Sequence, residues 1–332
     1  MRVAIIGAGM AGLACADVLA AAGHDVALFD KGRGAGGRMS TRRWQTPLGA
    51  VTIDHGAQYF TVRDPDFARL VNAWHDAGIA TPWPPAGRDA WVGVAGMNAV
   101  VKQMAGRHSV SWGYLVKSVL RRAGGWHLMG EGDPAGPFDA LVLAIPAEQA
   151  APILSLHDLR LTGIALRARS QPCWTGMFVF DRRIDGLPTV VRDHGEIAWA
   201  ARNSDKPGRP QPECWVVQAT AGWSDLHIEE RAETVADHLL DALSHLAGAP
   251  LPPVAAASAH RWRYALSAGT GDGALWNAEL QLGVCGDWLL GPRVECAWLS
   301  GTQLGRLGLG MAAPGGAAMR LANGSDAPGY AA

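Results

Sequence analysis

The sequence predicts an α/β fold: a doubly wound, largely parallel sheet with an α+β domain inserted into it. Three observations carry this. The chain opens on the apolar run Val3-Ala4-Ile5-Ile6, followed at once by Gly7-Ala8-Gly9-Met10-Ala11-Gly12. The next apolar run, Val26–Phe29, ends on an acid and enters a second glycine-rich segment. Near the other end, Leu282-Gly283-Val284-Cys285 stops at Gly286-Asp287, with a glycine turn and another helix to follow.

The first element is a buried strand, a glycine turn and a helix over 11–22. This order builds a site for a dinucleotide pyrophosphate. Gly7 permits the turn, Gly9 lets backbone approach the phosphates, and Gly12 lets helix and strand pack closely. Unpaired N–H groups at the helix start then face the negative charge. Asp30, at the end of the second strand, is placed to accept hydrogen bonds from ribose hydroxyls. With the strand and helix in place, the glycine fingerprint marks a Rossmann-like dinucleotide-binding domain.

A helix begins at Asp64-Pro65-Asp66 and runs to about Ala77, with Phe67, Leu70, Val71 and Trp74 on one face. Pro82, Pro84 and Pro85 punctuate the chain, and a helix over 99–105 follows. Short strands come next over 110–112, 114–120 and 126–129. The continuous apolar run Leu141–Ile145 reads as a fully buried strand closed by Pro146. From about 155 to 265 the texture changes, with strand-like runs at 177–180 and 214–219 and one long helix over 228–246. A helix from Val294 to about Leu309 ends the periodic sequence. Low complexity begins after Gly310. These readings divide the chain into a discontinuous cofactor domain (1–62, 96–152 and 268–322), a substrate domain (63–95 and 153–267) and a flexible tail (323–332).

Composition narrows the function. The 332 residues are 48% hydrophobic and 18% charged, enough for a large core and inconsistent with wholesale disorder. A net charge of -1 argues against nucleic acid or an anionic membrane as the main partner. The five cysteines are scattered without a CxxC pair, which suits reduced intracellular thiols and no metal site. No apolar run is long enough to span a bilayer, and no signal segment precedes the first strand. The expectation is a cytoplasmic protein.

Two further clusters carry chemistry. In Asp30-Lys31-Gly32-Arg33-Gly34-Ala35-Gly36-Gly37-Arg38-Met39, the Gly-Gly-Arg gives a second close backbone approach and a guanidinium for the pyrophosphate. In the C-terminal cluster, Gly286-Asp287 would reach a polyhydroxyl chain such as a flavin ribityl. The helix start at Val294, Glu295 and Ala297 would point at an electron-rich ring edge. A nicotinamide enzyme needs no such C-terminal element, so the two ends together favour bound FAD over exchangeable NAD.

The glycine fingerprint, Gly36–Met39 and Asp54-His55-Gly56-Ala57-Gln58-Tyr59-Phe60 resemble the flavin amine oxidase superfamily. Trp91–Met97, His260-Arg261-Trp262-Arg263-Tyr264-Ala265 and Gly286–Gly301 narrow the resemblance to its bacterial renalase branch, over most of 1–310. The resemblance implies a glutathione-reductase-like, amine-oxidase-type fold with non-covalent FAD and a substrate pocket over the flavin ring. It implies oxidation of the 2- and 6-dihydro isomers of NAD(P) to NAD(P)+, with molecular oxygen as the final acceptor and hydrogen peroxide as product. By position, Gly7, Gly9, Ala11, Gly12, Asp30, Lys31, Gly37, Arg38, Met39, Gly286, Asp287, Val294, Glu295 and Ala297 would bind FAD. Gly56, Ala57 and Gln58 would lie beside the flavin, with Val116, Ala144 and Pro146 as further cofactor contacts. The chain departs from the branch at Ala95, where proline is common, and at Cys296, where glycine is expected.

A hydride leaving a dihydropyridine needs no general base, so no catalytic acid–base residue is assigned. The protein has to hold the donor carbon about 3–3.5 Å from flavin N5. His55, Gln58, Tyr59, Trp262, Tyr264 and Trp288 are the candidate pocket walls, the aromatic ones by stacking on a nicotinamide face. Arg261 or Arg263 could pair with a substrate phosphate. The alternatives are a small-amine oxidase using Tyr59, Tyr264 and Trp288 as an aromatic cage, a non-catalytic FAD module, and a desaturase or porphyrinogen oxidase. The lack of an amphipathic basic helix in the sequence counts against the last.

Overall fold

A computed structural model describes residues 1–131, 133–209 and 212–308. The low-complexity segment, the tail and the last part of the C-terminal range lie outside them. Eight helices are described: α1 (Met10–Ala21), α2 (Pro65–Asp76), α3 (Ala99–Ala105), α4 (Ala147–Leu154), α5 (Leu159–Arg167), α6 (Ala221–Leu226), α7 (Ala232–Ala247) and α8 (Val294–Leu307).

The first sheet has six strands in the spatial order 275–277, 282–284, 140–143, 2–6, 25–30, 109–112. All neighbours are parallel except the edge strand Leu275–Asn277. Its strands alternate as a two-sided core requires. Val3, Ile5, Leu28 and Val142 pack with α1, α3 and α8 on one face. Ala4, Ile6, Leu141 and Leu143 pack with α4 and α5 on the other. α8 lies so close to α1 that a Cβ on Gly301 would fall 2.0 Å from the Ala11 carbonyl oxygen. The last described helix is thereby locked against the first.

The second sheet is antiparallel, in the order 190–194, 197–202, 213–219, 170–180, 254–267. Trp174, Phe178, Trp215 and Val217 pack with Val235, Leu239 and Leu243 of α7. The opposite face, with Met177, Val179 and Val216, meets Val51 and Ile53 of the hairpin Thr41–Thr46/Gly49–Asp54. The strand Val254–Ser267 pairs along Ser170–Phe180 and carries the His260–Ala265 motif.

The expected helix over 228–246 is corrected to α7, beginning at Ala232, with the separate short α6 before it. The strand expected at 177–180 extends back to Ser170, because its whole length is paired. α5 is not anticipated from the sequence, since its leucines fall on two faces. Leu161, Ile164 and Ala165 are buried, while Leu159 and Leu166 are exposed. Ala95 takes a left-handed φ of 63° and its N–H donates to Pro207 O at 3.3 Å. A proline there could provide neither the angle nor the donor, which accounts for the departure noted above. No helix among the described residues is long and apolar enough to cross a membrane.

Candidate active site

The ends of the parallel strands, the start of α1, the Gly36–Met39 segment, α4, the start of α8 and the strand Val254–Ser267 enclose one cavity of about 860 Å³. Gly7, Gly9, Ala11, Asp30, Lys31, Gly37, Arg38, Met39, Ala57, Val116, Ala144, Pro146, Gly286, Asp287, Val294 and Ala297 all line it. So do Trp262 and Tyr264. A space of about 30 Å³, room for about one water, adjoins it. It is bounded by Gly56, Cys173 and Gln218 and shares Arg38, Ala57 and Trp262 with the larger cavity.

The local chemistry explains the shape. Gly7 has φ +104°, open to glycine at little cost. A Cβ on Gly12 would stand 1.9 Å from Gly7 O, so Gly12 serves the helix–strand contact and does not line the cavity. A Cβ on Gly9 would meet nothing within 4 Å, so the turn leaves open space there. Asp30 holds this turn: its carboxylate accepts from the N–H groups of Ala8 at 2.8 Å and Gly32 at 2.7 Å. Neither α1 nor α8 has a side-chain N-cap, and both begin at the cavity wall. Arg38 donates through both terminal nitrogens to Asp287, each at 2.6 Å, and also to Ala265 O at 3.2 Å. Burial works against the charged guanidinium, but Asp287 outweighs it and raises the Arg38 pKa. The sequence does not foresee that these two expected cofactor contacts pair with each other.

Several expected residues are turned away, and the reasons are local. Gln58 is buried, donates to Asp54 O and Gly56 O, and accepts from Lys206 Nζ at 3.0 Å. Tyr59 packs against Trp199 with centroids 5.2 Å apart and lies under Arg192. Trp288 is buried in the core beneath the sheet, its indole N–H donating to Ile145 O. Glu295 accepts at one oxygen from the N–H groups of Arg63 and Asp64, both at 2.6 Å, and so anchors the entry to α2. Gly56 has no room for a Cβ, which would lie 2.0 Å from Arg38 O. His55 stacks on Trp262 from behind, with centroids 5.4 Å apart, and meets His260 edge-on. Arg261 and Arg263 line the cavity and both pair with Glu229. Cys296 is buried and burial pushes its thiol pKa up.

Three comparisons bear on this geometry. Residues 5–74 match the model of the NAD(P)-binding Rossmann-like domain. Residues 85–281, well over half of the chain, match that of the flavin containing amine oxidoreductases. The chain belongs to that family. The family is one of flavin-containing oxidoreductases. An L-amino-acid oxidase of Demansia vestigiata is 46% identical over 57 residues, which is 16% of this chain and 11% of that protein. The match thus spans about a tenth of that curated relative. Among solved structures, a candidate protoporphyrinogen oxidase from Exiguobacterium sp. 255-15 covers 92% of this chain and 98% of its own at 12% identity, with TM-score 0.71. Cyclohexylamine oxidase from Brevibacterium oxydans covers 92% and 98% at 13% identity, with TM-score 0.67. At such identities the likeness is one of fold.

As a flavin amine oxidoreductase, the chain should offer FAD a fitting bed, and its residues do. The open space at Gly9 and the uncapped start of α1 suit a diphosphate. The uncapped start of α8 suits a partial negative charge on a ring edge.

One buried charged cluster has no local signal in the sequence. Asp54, Lys206 and Arg209 are fully buried together, with Asp54 Oδ2 at 3.3 Å from Lys206 Nζ and 2.5 Å from Arg209. Burial alone would raise the Asp54 pKa, but the two cations hold the carboxyl far below the usual range. Burial lowers the Lys206 pKa to about 8 against the pull of Asp54. Lys206-Pro207-Gly208-Arg209 reads locally as a surface turn, and its partner lies 152 positions away. The cluster does not reach the cavity. It clamps the Asp54–Gln58 segment, whose Ala57 does.

Proposed function

We propose that this enzyme oxidises 2- and 6-dihydro isomers of NAD(P) to NAD(P)+ in the manner of the bacterial renalase branch. The observation that carries the reading is the charge of the cavity wall. Lys31, Arg38, Lys117, Arg261, Arg263 and Arg293 line it against Asp30 and Asp287. The cations sit on two sides, with Lys31 and Arg38 beside the glycine turns and Arg261 and Arg263 on the strand Val254–Ser267. Two anionic dinucleotides, one resident and one exchanging, match that distribution. Glu229 offsets part of the charge at Arg261 and Arg263 and would be displaced or shared.

When bound, FAD supplies the hydride acceptor, and molecular oxygen then removes the electrons as hydrogen peroxide. The chain's own residues position and polarise. Trp262 presents a flat wall, held by its indole N–H bond to His55 O at 2.7 Å. Burial, with His260 and Arg42 nearby, lowers the His55 pKa to about 4, so the ring behind that wall is neutral at pH 7. The uncapped start of α8, with Val294 and Ala297 on the cavity wall, would offer backbone N–H groups without reorganisation. None of these residues has to remove a proton, which suits a donor that becomes aromatic on losing hydride. A small amine is the competing substrate class. It would enter as a cation against a cationic wall, and Tyr59 and Trp288 are turned away from any cage.

Anaerobic mixing with 6-dihydro-NAD is the test. Loss of the oxidised flavin absorbance with formation of NAD+ supports the proposal. Bleaching by primary amines with none by the dihydro isomers overturns it in favour of amine oxidation. No bleaching by either class leaves a binding module.

A further inference from the structure

Among the described residues, the largest group of exposed leucines close in sequence lies on the α4–α5 hairpin. Leu156 is 72% exposed, Leu159 79% and Leu166 59%. Leu159 and Leu166 stand two turns apart on α5, so they share a face. Pro152 is exposed at the end of α4 on the same hairpin. Arg160 and Arg167 flank Leu159 and Leu166 one position on, and Arg169 follows the helix after Ala168. Arg121 joins the border, lying over Trp126, whose ring meets His157 of the α4–α5 loop. Arg121, Arg160, Arg167 and Arg169 form no ion pair among the described residues.

The acids of the hairpin are committed inward. Asp158 caps α5 through Leu161 N–H and accepts from Asn277. Glu148 accepts from Ser170. Glu279, near Asn277, is an exposed acid at the border. With Arg121, Arg160, Arg167 and Arg169 set against Glu279, the surface is apolar along one stripe and net cationic around it.

We propose that this hairpin docks on the anionic surface of a phospholipid bilayer. Leucines that enter the interface beside arginines that meet phosphate form the pattern of an in-plane helix. This reverses the expectation drawn from the net charge of -1 and from the lack of a basic amphipathic helix in the sequence, because the fold gathers Arg121, Arg160, Arg167 and Arg169 around one short apolar stripe. A second copy of the chain fits less well, because a two-fold contact would set arginines against arginines. Nucleic acid would leave the leucines unused. Gln149, Pro152 and Ile153 of α4 also line the cofactor cavity, so docking would hold the active site beside the membrane without crossing it. The proposal is independent of which substrate the cavity takes.

The test is co-sedimentation of the FAD-loaded protein with vesicles of phosphatidylcholine, alone and mixed with phosphatidylglycerol, at low and physiological salt. Binding is expected to the mixed vesicles and to weaken with salt. Replacing Arg160, Arg167 and Arg169 together by Gln should weaken it by about fivefold per arginine. The triple variant Leu156→Ser/Leu159→Ser/Leu166→Ser should weaken it at least tenfold, with the flavin spectrum unchanged. Leu226→Ser, at an 84% exposed leucine elsewhere, should leave it unchanged. Absence of binding to the mixed vesicles, or binding indifferent to both triple variants, overturns the proposal. A change of oligomeric state in the leucine variant without vesicle binding also overturns it, and assigns the face to a second copy.

Discussion

Arg38 and Asp287, 249 positions apart, close on each other through two parallel hydrogen bonds of 2.6 Å at the wall of the cofactor cavity. This pair joins the Gly-Gly-Arg segment near one end of the chain to the Gly-Asp turn near the other. Its carboxylate is 9% exposed and its guanidinium 31%. Removing either partner leaves a charge in a poorly solvated place.

Arg38→Gln and Asp287→Asn should each weaken FAD retention at least tenfold, measured as flavin released on ultrafiltration. Combining them should cost less than the sum, with a coupling of about 2 kcal/mol in a double-mutant cycle. Strict additivity would show that the pair plays no part in joining the two segments.

Gly9 and Gly12 should separate binding from folding. A Cβ at Gly9 points into open space, whereas one at Gly12 strikes Gly7 O at 1.9 Å. Gly9→Ala should fold with an apo Tm close to that of the parent yet bind FAD at least tenfold more weakly. Gly12→Ala should lower the apo Tm itself, through a loss of about 3 kcal/mol or more. Thermal melting of flavin-free protein distinguishes them, and equal Tm values would refute the assignment of the two roles.

The parallel sheet was readable because its strands are short apolar runs bounded by glycine and acid, each with a local chemical reason. The cavity's glycine side was readable for the same cause: Gly7, Gly9 and Asp30 act within one turn. The residues that went astray are those whose partners come from afar. Gln58 faces Lys206 and Glu295 faces the α2 entry, contacts 148 and 232 positions apart that no local pattern announces. Tyr59 and Trp288 illustrate a different limit. Among 14 tryptophans and four tyrosines most must serve packing, and composition cannot say which. α5 was hidden because its outward leucines blur the period that reveals a helix.

Glu295 offers a direct check on one of these corrections. Its carboxylate accepts from the Arg63 and Asp64 N–H groups, which precede α2. Glu295→Ala should leave both donors unsatisfied and cost about 2 kcal/mol of stability by urea unfolding. FAD affinity should stay within about twofold. A large loss of affinity with unchanged stability would return Glu295 to the cofactor site.

His55 sets an acid limit on the fold. Burial, with His260 and Arg42 beside it, lowers its pKa from 6.5 to about 4. The unfolded chain therefore binds the extra proton first, between about pH 6.5 and pH 4. Stability is fully present above that window and is lost as the pH falls through it. His260, also lowered by burial and Arg42, acts in the same direction. Asp54, held far below the carboxylate range chiefly by Lys206 and Arg209 against the effect of burial, adds its own loss only below about pH 3.8. Between pH 7 and pH 4.5 the His55 contribution should fall by about 2 kcal/mol. His55→Phe keeps a ring against Trp262 and removes the titration. Its urea midpoint should drop less than the parent's over this range, with near-equal values at pH 7. Parallel pH profiles for the two proteins would show that the buried imidazole does not set the limit.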